Sequence, residues 1–219
     1  MREAVVLVHG LWRNGWDLWR LHQYLTASSY DCYRFGYPSL CLPPAVNAER
    51  LNDFAATIDA PVVHYVCHSL GGIVLLHLFD KHPLQKPGRI VLMGTPVNGS
   101  IVARRLAATR FTRWTLGNSI EEGVLTGGPA WFRWRDLGII AGTLPLGAGM
   151  LVGGLRPPHD GVVTVSEAHL MKATDYITLP VSHTGLLFSR TVAALVVTFL
   201  RAGKFGDVSA DLLMDIEPT

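Results

Sequence analysis

The stretch of sequence that decides the fold is residues 62–74, which read VVHYVCHSLGGIV. A largely apolar run, typical of a strand covered on both faces, leads without a loop into an apolar helix that we expect over residues 70–81. Ser69 stands at the junction. A turn this tight forces the serine into a strained backbone conformation and exposes its hydroxyl above the carboxyl end of the sheet. The residues two before and two after the serine must be small, and Cys67 and Gly71 occupy those positions.

Strand-like and helix-like segments alternate along the whole chain. The predicted strands cover residues 4–8, 30–37, 62–67, 89–94, 137–142 and 175–179. The predicted helices cover residues 16–26, 45–58, 70–81, 100–128 (irregular) and 184–200. Parallel neighbours need a crossover of a dozen or more residues, so this alternation predicts an α/β fold. We expect roughly six mostly parallel strands with helices on both faces.

Composition fits one globular domain. The chain has 219 residues, of which 49% are hydrophobic and 16% charged, and this excludes a disordered, collagen-like or coiled-coil protein. Its formal charge of +2 (19 basic minus 17 acidic residues) is too balanced to indicate nucleic-acid binding. We expect one domain over residues 1–203 and a polar C-terminal tail over residues 204–219.

Cysteine usage and the N-terminus favour a cytoplasmic protein. Three cysteines, without a CxxC pair, cannot all form disulfides with one another. The apolar run at residues 4–8 is too short for the core of a signal peptide, although export stays open. The longest uncharged stretch, residues 137–155, holds six glycines and a proline, so we expect a buried strand and a glycine-rich loop there.

Several landmarks together resemble a known family, the α/β-hydrolase fold, and in particular its small lipases and esterases. They are residues 68–72 (HSLGG), residues 9–10 (HG) after the first strand, and residues 95–100 (TPVNGS) after the fourth. The resemblance spans residues 4–200 and implies a serine esterase or lipase. One departure is Cys67, because the family usually has glycine at the first position of this turn.

A serine hydrolase of this fold needs an acid and then a histidine after the serine in the chain. His183 directly follows the last strand, at the sheet edge where Ser69 must lie. Asp160 lies in the loop after the fifth strand, and its DGVV sequence resembles the acid loop of small lipases. Asp136 and Asp175 precede their strands, so both belong to the wrong end of the sheet.

The remaining histidines are better explained as structural. His68 adjoins the serine, but its side chain should point the opposite way along the backbone. His9 is expected to brace the loop after the first strand rather than to transfer protons. We expect neither a metal ion nor a cofactor, because the sequence has no convincing metal-ligand cluster, phosphate loop or dinucleotide fingerprint.

These roles predict a mechanism. His183 takes the proton of Ser69, Asp160 orients the imidazole, and the serine forms an acyl-enzyme that water hydrolyses. The backbone N–H groups of Leu70 and Leu11 are expected to hold the oxyanion. The leading hypothesis is a carboxylic-ester hydrolase acting on a small-molecule ester or lipid. An acyltransferase, thioesterase or amidase would use the same residues, and a non-catalytic binding protein on this fold is a weaker alternative.

Signals for the substrate pocket are weaker and leave alternatives open. Trp12 either lines the pocket or is an ordinary loop residue. The segment from Leu144 through Met150 to residue 155 is either an apolar wall around an acyl chain or a plain glycine-rich connection. Trp16 and Trp19, at helical spacing, are expected to pack in the core.

An insert around residues 99–135 follows the fourth strand and is too short for a full helical cap, so we expect a minimal cap and an open site. It carries two aromatic residues and four arginines without an acidic residue among them, namely Phe111, Trp114, Arg104, Arg105, Arg110 and Arg113. A solvated helix face is the favoured interpretation. The alternative is a surface that makes weak contact with lipid.

Overall fold

A computed structural model describes residues 2–206, apart from the side chain of Glu121. Six parallel strands form one sheet in the order β2-β1-β3-β4-β5-β6. Their bounds are β1 Ala4–Val8, β2 Asp31–Phe35, β3 Val63–His68, β4 Ile90–Met93, β5 Leu137–Gly142 and β6 Asp175–Leu179. The predicted parallel α/β sheet is therefore confirmed.

Helices connect the strands. They are α1 Trp19–Ala27, α2 Pro44–Ala56, α3 Leu70–Lys81, α4 Ile101–Ala107, α5 Arg110–Arg113, α6 Gly149–Val152, α7 Val165–Ala168, α8 Gly185–Phe188 and α9 Arg190–Ala202. Two 3₁₀ turns at Trp16–Leu18 and Trp114–Ser119 and a π turn at Ile120–Val124 complete the set within the described part of the chain.

Helices cover both faces of the sheet. Successive side chains of a strand point to opposite faces, so each strand contributes to both layers of the core. In β1, Val6 and Val8 pack in a core formed with α2 and α3. Val5 and Leu7 pack in a second core formed with α1 and α9. All five residues of β1 are buried, as its continuous apolar run predicts.

The insert folds as a short series of helical turns, and it covers the N-terminal end of α3. Leu70 and Ile73 of α3 form a small core with residues of the insert, which are Ala103, Leu116, Ile120 and Val124. This packing places the insert beside the residues that follow β3.

Two sequence predictions in the helices were wrong. The single helix expected over residues 184–200 is broken at Ser189, which is extended and accepts a hydrogen bond from the Val192 N–H to start α9. Trp16 and Trp19 are 69% and 43% exposed rather than in the core. The 3₁₀ turn that precedes α1 changes the angle between successive residues, so the three-residue spacing does not carry both indoles inward.

Residues 137–155 form β5 and then a glycine-containing loop with the one-turn helix α6, as predicted. Among residues 2–206, no helix combines the length and the apolar character that spanning a bilayer requires.

The start of the predicted tail is attached to the domain. Phe205 packs on Phe199 with ring centroids 4.8 Å apart, and its N–H donates to Asp175 Oδ2 at 2.7 Å. The rest of that prediction, residues 207–219, lies outside the described residues.

Candidate active site

Ser69 occupies a strained turn between β3 and α3. Its backbone angles are φ 54° and ψ −125°, in a region that residues other than glycine rarely adopt. Its N–H donates to Met93 O at 2.9 Å, which fixes the turn above the end of β4. The side chain is half-buried at the surface of the molecule. The predicted strand–serine–helix geometry is present.

Two glycines allow this turn. A Cβ atom at Gly71 would lie 2.5 Å from Val8 O, and one at Gly72 would collide with Thr95 Oγ1. Cβ atoms of folded proteins essentially never come this close to another non-bonded heavy atom. Helix α3 can therefore begin directly beneath the ends of β1 and β4 only because both positions lack a side chain.

Asp160 and His183 are in direct contact. His183 Nδ1 lies 2.7 Å from Asp160 Oδ2, and the His183 N–H donates to Asp160 O at 2.8 Å. Asp160 Oδ1 accepts from the N–H groups of Val162 at 2.9 Å and Val163 at 2.7 Å. A carboxylate only accepts hydrogen bonds, so Nδ1 is the donor in this contact, and in the Nδ1–H tautomer of the imidazole Nε2 has a free lone pair.

The contacting pair and Ser69 lie at the same edge of the sheet. Gly94 directly follows Met93, and a Cβ atom there would lie 3.1 Å from both Asp160 Oδ2 and His183 Nδ1. Ser69 and the Asp160–His183 pair thus flank the carboxyl end of β4. Within the described residues, no hydrogen bond joins Ser69 Oγ to His183; such bonds are often long without a bound substrate.

His68 connects the serine turn to His183. Its Nε2 donates to His183 O at 3.0 Å, and the two rings lie 4.6 Å apart at 48°. Burial, together with the neighbouring His183, holds the pKa of His68 well below its usual value. Its Nδ1 is buried without a hydrogen-bond partner in the described part of the chain.

Sequence reasoning assigned no part of the site to His68. The signal that identifies it is strand alternation. His68 has the same parity in β3 as Val66, so both side chains point to the face of the sheet covered by α1, α8 and α9. The loop that carries His183 leads into α8 and approaches the sheet from that face.

His9 braces the loop after β1, as expected. Its Nδ1 donates to Gly10 O at 2.8 Å, and its Nε2 accepts from the Tyr37 N–H at 3.2 Å. The Tyr37 hydroxyl donates to His9 O at 2.8 Å, and the rings are stacked 4.2 Å apart. Burial lowers the pKa of His9, so this imidazole stays neutral and fully hydrogen-bonded.

The braced loop touches Ser69. A Cβ atom at Gly10 would lie 2.9 Å from the Ser69 Cβ. The backbone N–H of Leu11 follows directly, and that of Leu70 begins α3. Neither N–H has a hydrogen-bond partner among the described residues. Two free donors therefore flank the serine, one of them at a helix N-terminus that favours negative charge.

The predicted pocket residues are partly exposed. Trp12 is 54% exposed, and its Nε1 donates to Thr115 O of the insert at 2.6 Å. The Leu144 N–H donates to Val181 O at 3.2 Å, and Met150 is half-exposed on α6. Their contact with a substrate remains a prediction. Within the described residues, histidine, cysteine and carboxylate side chains form no group of three that could hold a metal ion.

Comparisons with known proteins agree with this fold. The sequence model of the alpha/beta hydrolase family matches residues 5–207. No curated protein sequence matches the chain. Among solved structures, the mature Bacillus licheniformis lipase BlEst2 is similar with a TM-score of 0.70 and 21% identity over 92% of each chain.

Two further structures share the fold at lower identity. The phospholipase PlaB from Legionella pneumophila has a TM-score of 0.68 and 12% identity, covering 99% of this chain and 60% of that one. The carboxylesterase CesB from Bacillus subtilis has a TM-score of 0.57 and 12% identity, covering 92% and 84%. At these identities the structures indicate the fold, while the family match covers nearly the whole chain. The chain belongs to the alpha/beta hydrolase family.

Proposed function

We propose that this protein is a serine carboxylic-ester hydrolase, an esterase or small lipase. Ser69 is the nucleophile, His183 the general base and Asp160 the residue that orients the imidazole. The observation that carries the proposal is the 2.7 Å contact between Asp160 and His183 beside a serine in a strained turn. A nucleophile, a base and an orienting acid in this chain order are the requirements of acyl transfer on this fold.

The first half-reaction acylates the enzyme. Ser69 Oγ attacks the ester carbonyl carbon while its proton passes to His183 Nε2. The resulting oxyanion accepts hydrogen bonds from the N–H groups of Leu70 and Leu11. Collapse of this intermediate breaks the bond to the alcohol oxygen, which takes the proton from His183 and leaves as the alcohol.

The second half-reaction restores the enzyme. Water loses a proton to His183 Nε2 and attacks the acyl carbon, and the carboxylic acid leaves as the proton returns to Ser69 Oγ. Asp160 stays ionised and stabilises the imidazolium that forms twice in the cycle. The three similar structures are described as a lipase, a phospholipase and a carboxylesterase, which supports ester substrates for this chain as well.

Hydrolysis of nitrophenyl esters from acetate to palmitate tests the proposal. We expect turnover by the wild-type protein and a loss of about 10⁴-fold or more in Ser69→Ala. Ser166→Ala is the matched control, because Ser166 is exposed on α7 and is expected to keep full activity. Equal activity of Ser69→Ala and the wild type would contradict the assignment of the nucleophile.

A further inference from the structure

The insert presents aromatic side chains to solvent. Phe111 on α5 is 91% exposed, and Trp114, which follows it, is 75% exposed. No residue of α5 is buried. A helix on the surface of a soluble monomer normally packs its aromatic side chains against the core. These two rings instead point into solvent.

The same segment is strongly basic. Residues 99–120 contain four arginines and no acidic residue. Arg110 and Arg113 are exposed and form no ion pair with any described residue. With Trp114 and Asn118 they line an open cavity of about 480 Å³. Guanidinium and amide groups donate hydrogen bonds to phosphate oxygens, so this cavity offers the charge and the donors that a phosphate-containing head group requires.

Helix α6, which contacts α4, carries a further exposed apolar side chain. Leu151 on α6 is 93% exposed. Helix α6 is attached to α4, because Arg105 Nη1 donates to Val152 O at 3.3 Å. The basic and apolar side chains therefore lie on connected elements rather than on separate parts of the molecule.

The surface borders the candidate active site on two sides. Gly149 of α6 packs so closely on Gly161 O, beside Asp160, that no side chain fits between them. On the other side, the indole of Trp12 donates to Thr115 O, one residue after Trp114. The elements that carry this surface therefore adjoin both the loop of Asp160 and the loop after β1.

We propose that Arg110, Phe111, Arg113, Trp114 and Leu151, together the insert surface, dock the protein on an anionic phospholipid membrane. The rings and Leu151 enter the head-group region, and the guanidinium groups bind lipid phosphates. This surface corresponds to the lipid-contact alternative of the sequence analysis, which the exposure of both rings now favours over a solvated face. Docking goes beyond the proposed ester chemistry and does not depend on it.

Charge argues against a second copy of the chain as the occupant. In a symmetric dimer through this surface, each group of arginines would face the same group of its partner. Like charges placed opposite each other in an interface oppose association. An anionic bilayer offers the complementary charge and an apolar interior for the rings.

Co-sedimentation with vesicles tests docking. We expect the wild-type protein and Ser69→Ala to bind phosphatidylcholine vesicles containing phosphatidylglycerol, and to bind pure phosphatidylcholine vesicles weakly. Each arginine near an anionic surface contributes about a factor of five, so Arg110→Gln/Arg113→Gln should partition about 25-fold more weakly. Phe111→Ser/Trp114→Ser should also weaken binding, including at high salt, where the arginines are screened.

Arg34→Gln/Arg50→Gln is the matched control, because it removes the same charge from two exposed arginines outside the insert. It should bind as the wild type does, and circular dichroism should show that all variants are folded. Free glycerol phosphate in millimolar excess should not release the protein, because the membrane and not the isolated head group is the ligand.

Four outcomes would overturn the proposal. They are failure of the wild type to bind anionic vesicles, unchanged binding by Arg110→Gln/Arg113→Gln, an equal loss in the control, or release by glycerol phosphate. Because Ser69→Ala is tested alongside the wild type, a failure of docking is distinguishable from a failure of the proposed chemistry.

Discussion

His68 Nε2 donates a hydrogen bond of 3.0 Å to the carbonyl oxygen of His183, and the two imidazole rings lie 4.6 Å apart. The residue that precedes the serine thus supports the loop that carries the proposed base. The geometry of the serine turn and the position of the imidazole are coupled through one buried side chain.

We expect His68→Phe to lower kcat about tenfold with little change in KM, because a buried carbonyl loses its donor and the position of His183 relaxes. Phenylalanine keeps a ring of similar size, so packing is largely preserved. His68→Gln should recover most of the activity, since its amide nitrogen can replace Nε2 as the donor. Steady-state kinetics of both variants test this, and equal losses in both would show that packing alone matters.

Asp160→Asn should lower kcat by about 10⁴-fold while the protein stays folded, because the amide favours the wrong tautomer of His183. Asp136→Asn is the matched control, since Asp136 precedes β5 at the opposite end of the sheet and pairs with Arg89. Ester hydrolysis by both variants is the measurement. A nearly wild-type rate for Asp160→Asn would mean that another carboxylate partners His183.

Gly71→Ala should lower the free energy of unfolding by about 2 kcal/mol or more, because its Cβ would lie 2.5 Å from Val8 O and the backbone must shift. Gly36→Ala offers a matched control. The nearest atom to a Cβ there is Asn14 O at 3.9 Å, so the change should be within about 0.5 kcal/mol. Urea unfolding of both variants decides the point, and equal stability of the two would contradict this account of the turn.

Three buried histidines should make the protein less stable in mild acid. Burial lowers the pKa values of His9, His64 and His68, so the unfolded chain binds protons below its pKa of about 6.5 that the folded chain does not bind. The stabilisation is therefore complete above that pH and decreases as the pH falls below it. Their combined slope is at most about 4 kcal/mol per pH unit.

Urea unfolding between pH 8 and pH 5 measures this slope. His68→Gln should reduce it by up to about 1.4 kcal/mol per pH unit, because one buried group no longer titrates. His169→Gln serves as the control, since His169 is exposed. A slope in His68→Gln that equals that of the wild type would contradict the role given to burial.

Much of the fold could be predicted because its four inner strands, β1, β3, β4 and β5, are covered on both faces and appear as largely apolar runs. The runs that became β1, β3 and β5 were recognisable for this reason, and β5 was predicted with its observed bounds. Residues that follow strands of a parallel sheet meet at one edge. This is why Ser69, Asp160 and His183 could be selected together.

Predictions from the sequence were wrong where the backbone departs from the regular 3.6-residue repeat of an α-helix. A 3₁₀ turn before α1 left Trp16 and Trp19 in solvent, and an extended Ser189 divided the last helix. The contact of His68 with His183 spans 115 positions along the chain. Only the assembled sheet brings those two residues together.

The most direct test of the central claim is labelling by a fluorophosphonate probe, followed by mass spectrometry of the modified peptide. We expect one modified residue, Ser69, with no labelling of Ser69→Ala and strongly reduced labelling of His183→Ala. A probe attached to another residue, or a folded wild-type protein that resists the probe, would contradict the claim that Ser69 is an activated nucleophile.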